Sequence, residues 1–338
     1  MAEILMGYAL FVAKAVTIVV AVGLTVAIIA ASVRRERMPE RLEVKHLNEK
    51  YETMANTLRK ETLSKKAFKA KMKLEKARKK AEQKREKVAG DGARPRVFVL
   101  NFHGDIRATA VSSLREEVTA VLLLARTDDE VAVKLENTGG LVHEHGLAAS
   151  QLMRIKEKKI PLTIMVDKVA ASGGYMMACV ADRILAAPFA VVGSIGVLAQ
   201  LPNFHRLLDN HGIDVEQFMA GEFKRTVTLF GRNSDEGRAK LKEELEDTHL
   251  LFKDFVTKHR PKVEIERVAT GEHWYGTRAL ELKLVDGLVT SDDYLLEASQ
   301  RAELYEVTYA GKRSVTKRVA SMIGQALEQR LTLGSNVL

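Results

Sequence analysis

The sequence predicts an α/β domain carried behind an amino-terminal transmembrane helix and a basic helical linker. Three observations predict it. Ala15 to Val33 is an uncharged, mostly apolar run of 19 residues. Arg59 to Lys87 holds 14 Lys or Arg against four Glu. From Arg96 onward, short apolar runs alternate with amphipathic ones, as strands and helices do when helices pack on a sheet.

The apolar run is long enough to cross a bilayer as a tilted helix. Ile4 to Ala13 precedes it with only Lys14 between, and a lysine near a boundary can snorkel. The competing reading is a cleaved signal peptide, but the apolar core exceeds the usual signal length and no basic segment precedes it. Arg34, Arg35, Arg37 and Arg41 follow, whereas the first 13 residues carry no Lys or Arg. The positive-inside rule therefore puts the amino terminus outside and everything after Val33 in the cytoplasm. The expected organisation is an anchor over 1–33, a basic linker over 34–94, a catalytic domain over 95–300 and a basic tail over 301–338.

Residues 40–88 read as one long polar helix. Leu47, Tyr51, Met54 and Leu58 recur at spacings of four, three and four, and Ala67, Ala70, Leu74, Ala77 and Ala81 continue the stripe. Alanine makes a weak seam, which leaves a solvated spacer, contact with anionic lipid and self-association open. Gly90 to Pro95 ends the pattern. The net charge of +9 belongs to this segment, whose surplus of ten leaves about −1 for the rest. The domain thus needs no nucleic acid or other polyanion partner. The single cysteine, Cys179, excludes an internal disulfide, and its apolar surroundings read as core packing.

Within the domain, Val97 to Phe102 reads as a buried strand and Ala108 to Arg126 as an amphipathic helix with Val111, Leu114, Val118, Val121 and Leu122 on one side. Val131 to Glu136 is the next strand, followed by Gly139 and Gly140 in a loop and a helix around Leu147 to Lys158. Pro161 opens the strand Leu162 to Val166. Gly173 to Ala181 reads as a helix, Ile184 to Ala187 as a strand, and Val285 to Val289 as a late strand. Ser234 caps a helix running to about His259. The tail from Lys312 has near-helical apolar spacing, which suits packing on a neighbour or contact with a membrane surface.

Ser172 falls between a strand and a helix, where free backbone N–H groups can face a developing negative charge. It is a candidate nucleophile, with a helix cap as the alternative reading. Gly173 lacks a side chain, so a substrate can approach its N–H closely. Gly139 and Gly140 end another strand and either turn N–H groups toward a substrate carbonyl or form an ordinary turn. Lys224 has Phe223, Val227, Leu229 and Phe230 nearby in sequence, the surroundings that desolvate an amine and make it a base. The bland alternative is a surface lysine. Ser194, in an apolar loop, can orient a neutral amine or bond locally. Serine with lysine is a known variant of triad logic.

The histidines offer other chemistry. His143, Glu144 and His145 lack the helical His-Glu-x-x-His spacing and a third ligand, so neither metal nor cofactor is expected. His273 would complete a Ser-His-Asp triad, but no Gly-x-Ser-x-Gly elbow is present, and it reads as a core or helix-start histidine.

Four segments carry a family resemblance: Asp-Lys-Val-Ala-Ala-Ser-Gly-Gly-Tyr-Met-Met-Ala (167–178), Val-Gly-Ser-Ile-Gly-Val (192–197), Gly-Glu-Phe-Lys-Arg (221–225) and Ala-Leu-Glu-Leu-Lys-Leu-Val-Asp (279–286). In this order they resemble the SppA/SohB family of membrane-anchored serine endopeptidases. The resemblance implies a crotonase-like (ClpP-like) domain of repeated β-β-α units. It implies Ser172 as nucleophile, Lys224 as general base and Ser194 as the group that positions the lysine. Gly173 with the Gly139–Gly140 loop would form the oxyanion hole. It further implies a ring-like homo-oligomer whose neighbouring subunits complete the sites, and peptide substrates such as signal-peptide remnants in the bacterial inner membrane. Asn137-Thr138 departs from the Ser-Pro that the family often carries before the double glycine. The better-known relatives face the periplasm, so that side is the alternative to the cytoplasm. A non-catalytic membrane scaffold and acyl-CoA chemistry are the competing functions for such a fold.

Overall fold

The computed structural model describes residues 41–89 and 94–310, together with Lys14, Val16, Thr17, Val19, Val20 and Gly23, which are helical. The remainder of the expected membrane anchor and the tail from Lys312 lie outside the described residues. Among the described residues no helix is long and apolar enough to cross a membrane. The chain divides into two compact units, 1–42 with 309–338 and 43–308. The sheet and the candidate site belong to the second.

The stretch expected as one helix holds β1 (Arg41–His46), α1 (Leu47–Thr62) and α2 (Lys65–Ala89). Leu63 is extended and breaks the run, and Ser64 Oγ accepts from Ala67 N–H to start α2. A strand replaces the first helical turn because β1 finds a neighbour in the sheet, β10 (Glu303–Ala310). His46 stacks on Tyr305 with ring centroids 5.0 Å apart, and its Nε2 lies 2.6 Å from Glu303 Oε2. The sheet therefore continues past residue 300, where the sequence placed the start of a tail.

The intervening elements follow the expected alternation. They are β2 (Arg96–Gly104), α3 (Val111–Leu122), β3 (Glu130–Asn137), α4 (Val142–Glu157), β4 (Leu162–Val166), β5 (Val169–Ala171), α5 (Gly173–Ala178), β6 (Arg183–Ala186) and β7 (Val191–Gly193). Then come α6 (His205–Asp209), α7 (Asp235–His259), α8 (Ile265–Val268), β8 (His273–Tyr275), α9 (Gly276–Glu281), β9 (Gly287–Leu288) and α10 (Ser291–Arg301). Ser234 caps α7 as expected, its Oγ accepting from Gly237 N–H at 3.0 Å. Helix α4 starts at Val142, five residues before the expected start. The late strand shrinks to the two residues of β9.

The main sheet runs β1-β10-β2-β3-β4-β6-β9, and each neighbouring pair from β10 to β9 is parallel. Such strands are covered on both faces and read as continuous apolar runs. In β2, Phe98, Leu100 and Phe102 pack with Leu114 and Val118 of α3 and Leu152 and Ile155 of α4. Val97 and Val99 point the other way, toward Leu47 of α1 and Tyr294, Leu295 and Ala298 of α10.

The sheet forks beside β3. At its end, Asn137 pairs with Ala170 of β5 rather than with β4. From there β5 pairs with β7 in parallel and β7 with β8 antiparallel. Asp167 and Lys168 separate β4 from β5. Asp167 pins that step, accepting from Ser291 N–H at 2.8 Å and Ser291 Oγ at 2.5 Å. The short branch delivers Ser172.

Candidate active site

Ser172 joins β5 to α5 with φ 52° and ψ −119°. A non-glycine residue at positive φ is strained and persists only where its surroundings fix it. Here the fixing contacts are backbone ones. Ser172 N–H donates to Gly193 O at 2.8 Å, and Ser172 O accepts from Met176 N–H at 3.0 Å. The half-buried Ser172 side chain caps no N–H of α5, so the helix-cap reading fails on geometry.

Behind Ser172, α5 is packed solid. Tyr175 is fully buried and donates from its hydroxyl to Leu284 O at 2.9 Å. Burial raises its phenol well above the ordinary value and also pushes up the Cys179 thiol. Cys179 is thus a packing residue.

Ser194 is also strained, at φ 51° beside Gly193 at φ 96°. Its N–H donates to Glu272 O at 2.7 Å, and Gly271 N–H donates to Ile195 O at 3.1 Å. Two backbone contacts thereby hold the 193–195 turn against the loop before β8, next to the Ser172 amide. His273 lies on β8, exposed, opposite Gly193. It is neither a core nor a helix-start residue.

Gly139 and Gly140 form the facing wall. Gly139 has φ 90°, and a Cβ built on it would lie 2.6 Å from Ser172 Cβ and 2.8 Å from Gly173 N. Only a glycine allows the two turns to approach this closely. The Gly139 N–H donates to Asn137 Oδ1 at 2.6 Å, so in this geometry it is engaged and is not an oxyanion donor. No hydrogen bond engages Gly140 N–H or Gly173 N–H among the described residues. Gly173 begins α5, where the first N–H groups have no partner within the helix. Its missing Cβ faces the ring of His145, whose Cγ would lie 2.4 Å away, rather than leaving a gap for substrate.

His145 and Asn137 are the pair that sequence reasoning did not connect. Both are buried. His145 Nε2 lies 3.1 Å from Asn137 Oδ1, and Nδ1 lies 2.9 Å from Leu141 O. The neighbouring His143 is exposed and 3.9 Å from Glu144. The His-Glu-His run thus splits between core and solvent, and no metal-ligating cluster occurs among the described residues.

No hydrogen bond joins Lys224 to Ser172 among the described residues. Lys224 is exposed, and only its backbone is tied, with N–H donating to Gly221 O at 3.2 Å. Phe223 is 52% exposed and Phe230 49% exposed, so within one chain they do not desolvate the amine. No residue between 196 and 234 is buried, and α6 is the one helix there.

This α/β scaffold sets a strained serine beside the Gly139–Gly140 turn, and comparison with known proteins places the chain in a family of proteases. Residues 3–152 match the description of the N-terminal part of peptidase family S49, and residues 154–305 match peptidase family S49 itself. The chain belongs to peptidase family S49. A relative described as "Probable protease SohB" from Haemophilus influenzae is 47% identical over 324 residues, covering 94% of this chain and 92% of the relative. Another of the same description, from Buchnera aphidicola subsp. Schlechtendalia chinensis, is 46% identical and covers 87% of this chain and 99% of its own. Among solved structures, the 1510-N membrane-bound stomatin-specific protease covers 61% of this chain and 84% of its own, at a TM-score of 0.42 and 14% identity.

Proposed function

We propose that this S49 peptidase is a serine endopeptidase with Ser172 as nucleophile and Lys224 as general base. The observation that carries the reading is the strained Ser172 backbone, which stands beside the Gly139 turn with a hydroxyl that caps no N–H of α5. Ser172 Oγ attacks the scissile carbonyl while Lys224 Nζ takes the hydroxyl proton. The Gly173 and Gly140 N–H groups donate to the developing oxyanion. Collapse returns the proton from Lys224 to the leaving amine and leaves an ester on Ser172. Water, deprotonated by the same lysine, then releases the acid and restores the hydroxyl. Ser194 orients the neutral amine from the adjacent turn. Gly139 serves by letting the turns approach.

Since Lys224 stands exposed in the single chain, a neighbouring subunit of a ring-like homo-oligomer completes the site and supplies its desolvation. The crotonase-like reading of the domain, with repeated β-β-α units, is consistent with the successive strands β4 and β5 pairing in parallel with the successive strands β6 and β7. Substrates are extended, apolar, membrane-derived peptides such as signal-peptide remnants, which can add as a strand. Ala15 to Val33 anchors the chain in the bacterial inner membrane, with the catalytic unit on the cytoplasmic side.

The test is peptide cleavage by the assembled protein and its Ser172→Ala and Lys224→Ala variants. Both variants are expected to lose about 10³-fold or more in kcat with little change in KM. Undiminished cleavage by either removes the dyad.

A further inference from the structure

Asn137 stands at the fork of the sheet, 1% exposed, with its amide between three neighbours. Oδ1 accepts from Gly139 N–H at 2.6 Å and faces His145 Nε2 at 3.1 Å. Nδ2 is buried with no partner. It lies where a Cβ on Gly104 would come within 1.9 Å. A buried amide nitrogen left unpaired is costly, so something on the other side of the group compensates.

The compensation is His145. The ring is fully buried in the first turns of α4, and both nitrogens face oxygens: Leu141 O at 2.9 Å and Asn137 Oδ1 at 3.1 Å. A neutral ring carries one proton, so it donates either from Nδ1 to Leu141 O or from Nε2 to Asn137 Oδ1, according to its tautomer. The Nε2–H tautomer secures Oδ1 in the orientation that also takes the Gly139 N–H. With the amide turned over, Nδ2 would donate to a bare Nε2, and Gly139 N–H would face a donor instead of an acceptor. The ring thus selects between two amide orientations, and only one of them holds the glycine turn. The same ring lies under Gly173, whose N–H is the other wall of the site.

We propose that His145 is a positioning residue that acts through Asn137 to hold the Gly139–Gly140 turn against Ser172 and Gly173. It touches neither substrate nor nucleophile. It sets where the Gly140 and Gly173 N–H groups stand when charge develops on the carbonyl oxygen. A donor aimed at the transition state and misplaced by a fraction of an ångström lowers kcat and leaves ground-state binding alone. The inference rests on the serine-endopeptidase reading above.

The experiment is peptide cleavage by the full-length, assembled enzyme carrying His145→Leu, His145→Gln, Asn137→Ala and the double variant His145→Leu/Asn137→Ala, each with its thermal melt. His145→Leu keeps roughly the volume and removes both ring nitrogens. Its kcat is expected to fall about tenfold or more, short of the 10²–10³ lost with an oxyanion donor outright, while KM changes less than about twofold. His145→Gln keeps a donor for Asn137 Oδ1 and is expected to recover most of that loss. The double variant is expected to be no slower than the worse single variant, as for residues acting as one unit. A folded His145→Leu with wild-type kcat, or single losses that multiply in the double variant, overturns the proposal. Should His145→Leu not fold, Asn137→Ala decides: wild-type kcat overturns the pairing, and a fall in kcat at constant KM supports it. Cleavage that survives Ser172→Ala sinks the endopeptidase reading instead, so the two failures are distinguishable.

Discussion

Asp129 shows how one side chain secures the edge that leads into β3. Its carboxylate is fully buried and receives Arg96 through Nε at 3.1 Å and Nη2 at 2.6 Å, with backbone N–H groups of Arg96 at 2.9 Å and Arg126 at 2.8 Å. Burial pushes this carboxyl up, but the Arg96 guanidinium and the two backbone donors outweigh it and hold the group below the usual range. A depressed folded-state pKa means that the unfolded chain binds the proton more tightly. The stabilisation is therefore complete above the unfolded value of about 3.9 and is lost as pH falls through the folded value. Asp129→Asn is expected to be less stable than wild type by about 2–4 kcal/mol at neutral pH, with the gap closing below about pH 4. Urea unfolding across that range measures it, and a gap independent of pH would contradict it. At this scale the sequence was readable where chemistry sits in adjacent residues. Ser172 before a double glycine and Gly139-Gly140 after a strand both stand where their motifs put them. Asn137 and His145 were not readable as a pair, because eight residues and a strand-to-helix turn separate them and only burial makes either of them informative. Nor did the sequence disclose that Gly139 N–H is consumed by Asn137, since that depends on the amide's orientation.

At the scale of elements, what the sequence resolved were those with strong local signals. The double-faced apolar runs of β2, β3 and β4 and the capped α7 are of this kind. Ser234, extended at φ −80° and ψ 162°, accepts from Gly237 N–H, and Asp235 and Glu236 follow in the first turn. Ser234→Ala is expected to cost about 1 kcal/mol, within the 0.5–2 range of cap removals, read as a lowered midpoint of unfolding with an unchanged denaturant slope. No change in midpoint would mean that the 25-residue helix holds its first turn by packing alone. Elements whose existence depends on distant partners were not resolved. β1 has charged residues at alternate positions and resembles helix in composition. It is a strand because β10, over 250 residues later, offers an edge, with His46 and Glu303 in contact. The branch strands β5, β7 and β8 have three residues each, too few for any periodicity to register. They are specified by pairing at the fork.

At the scale of the molecule, the segment from 196 to 234 sets the outstanding question. It contains Lys224, buries no residue, and exposes Leu198 to 83% and Phe218 to 89%. Phe204 and Phe230 stack on each other with ring centroids 6.1 Å apart while each stays over 40% exposed. Exposed apolar residues on this scale suit the covering subunit of the proposed homo-oligomer. In the proposed homo-oligomer, a neighbouring copy would bring its Lys224 toward Ser172. That arrangement has a consequence which pairing within one chain lacks. In a mixed oligomer of Ser172→Ala and Lys224→Ala subunits, a site built across subunits joins the intact serine of one to the intact lysine of its neighbour. Random assembly at equal amounts then restores about a quarter of the sites of a closed ring, although both parents are inactive. Pairing within one chain restores none, since every chain carries one lesion. The measurement is peptide cleavage after co-expression, with differently tagged subunits co-purified to establish mixing. Recovery near that fraction is the expected result. Its absence in a demonstrably mixed oligomer would place both members of the dyad in one subunit and require the 196–234 segment to fold Lys224 inward on assembly.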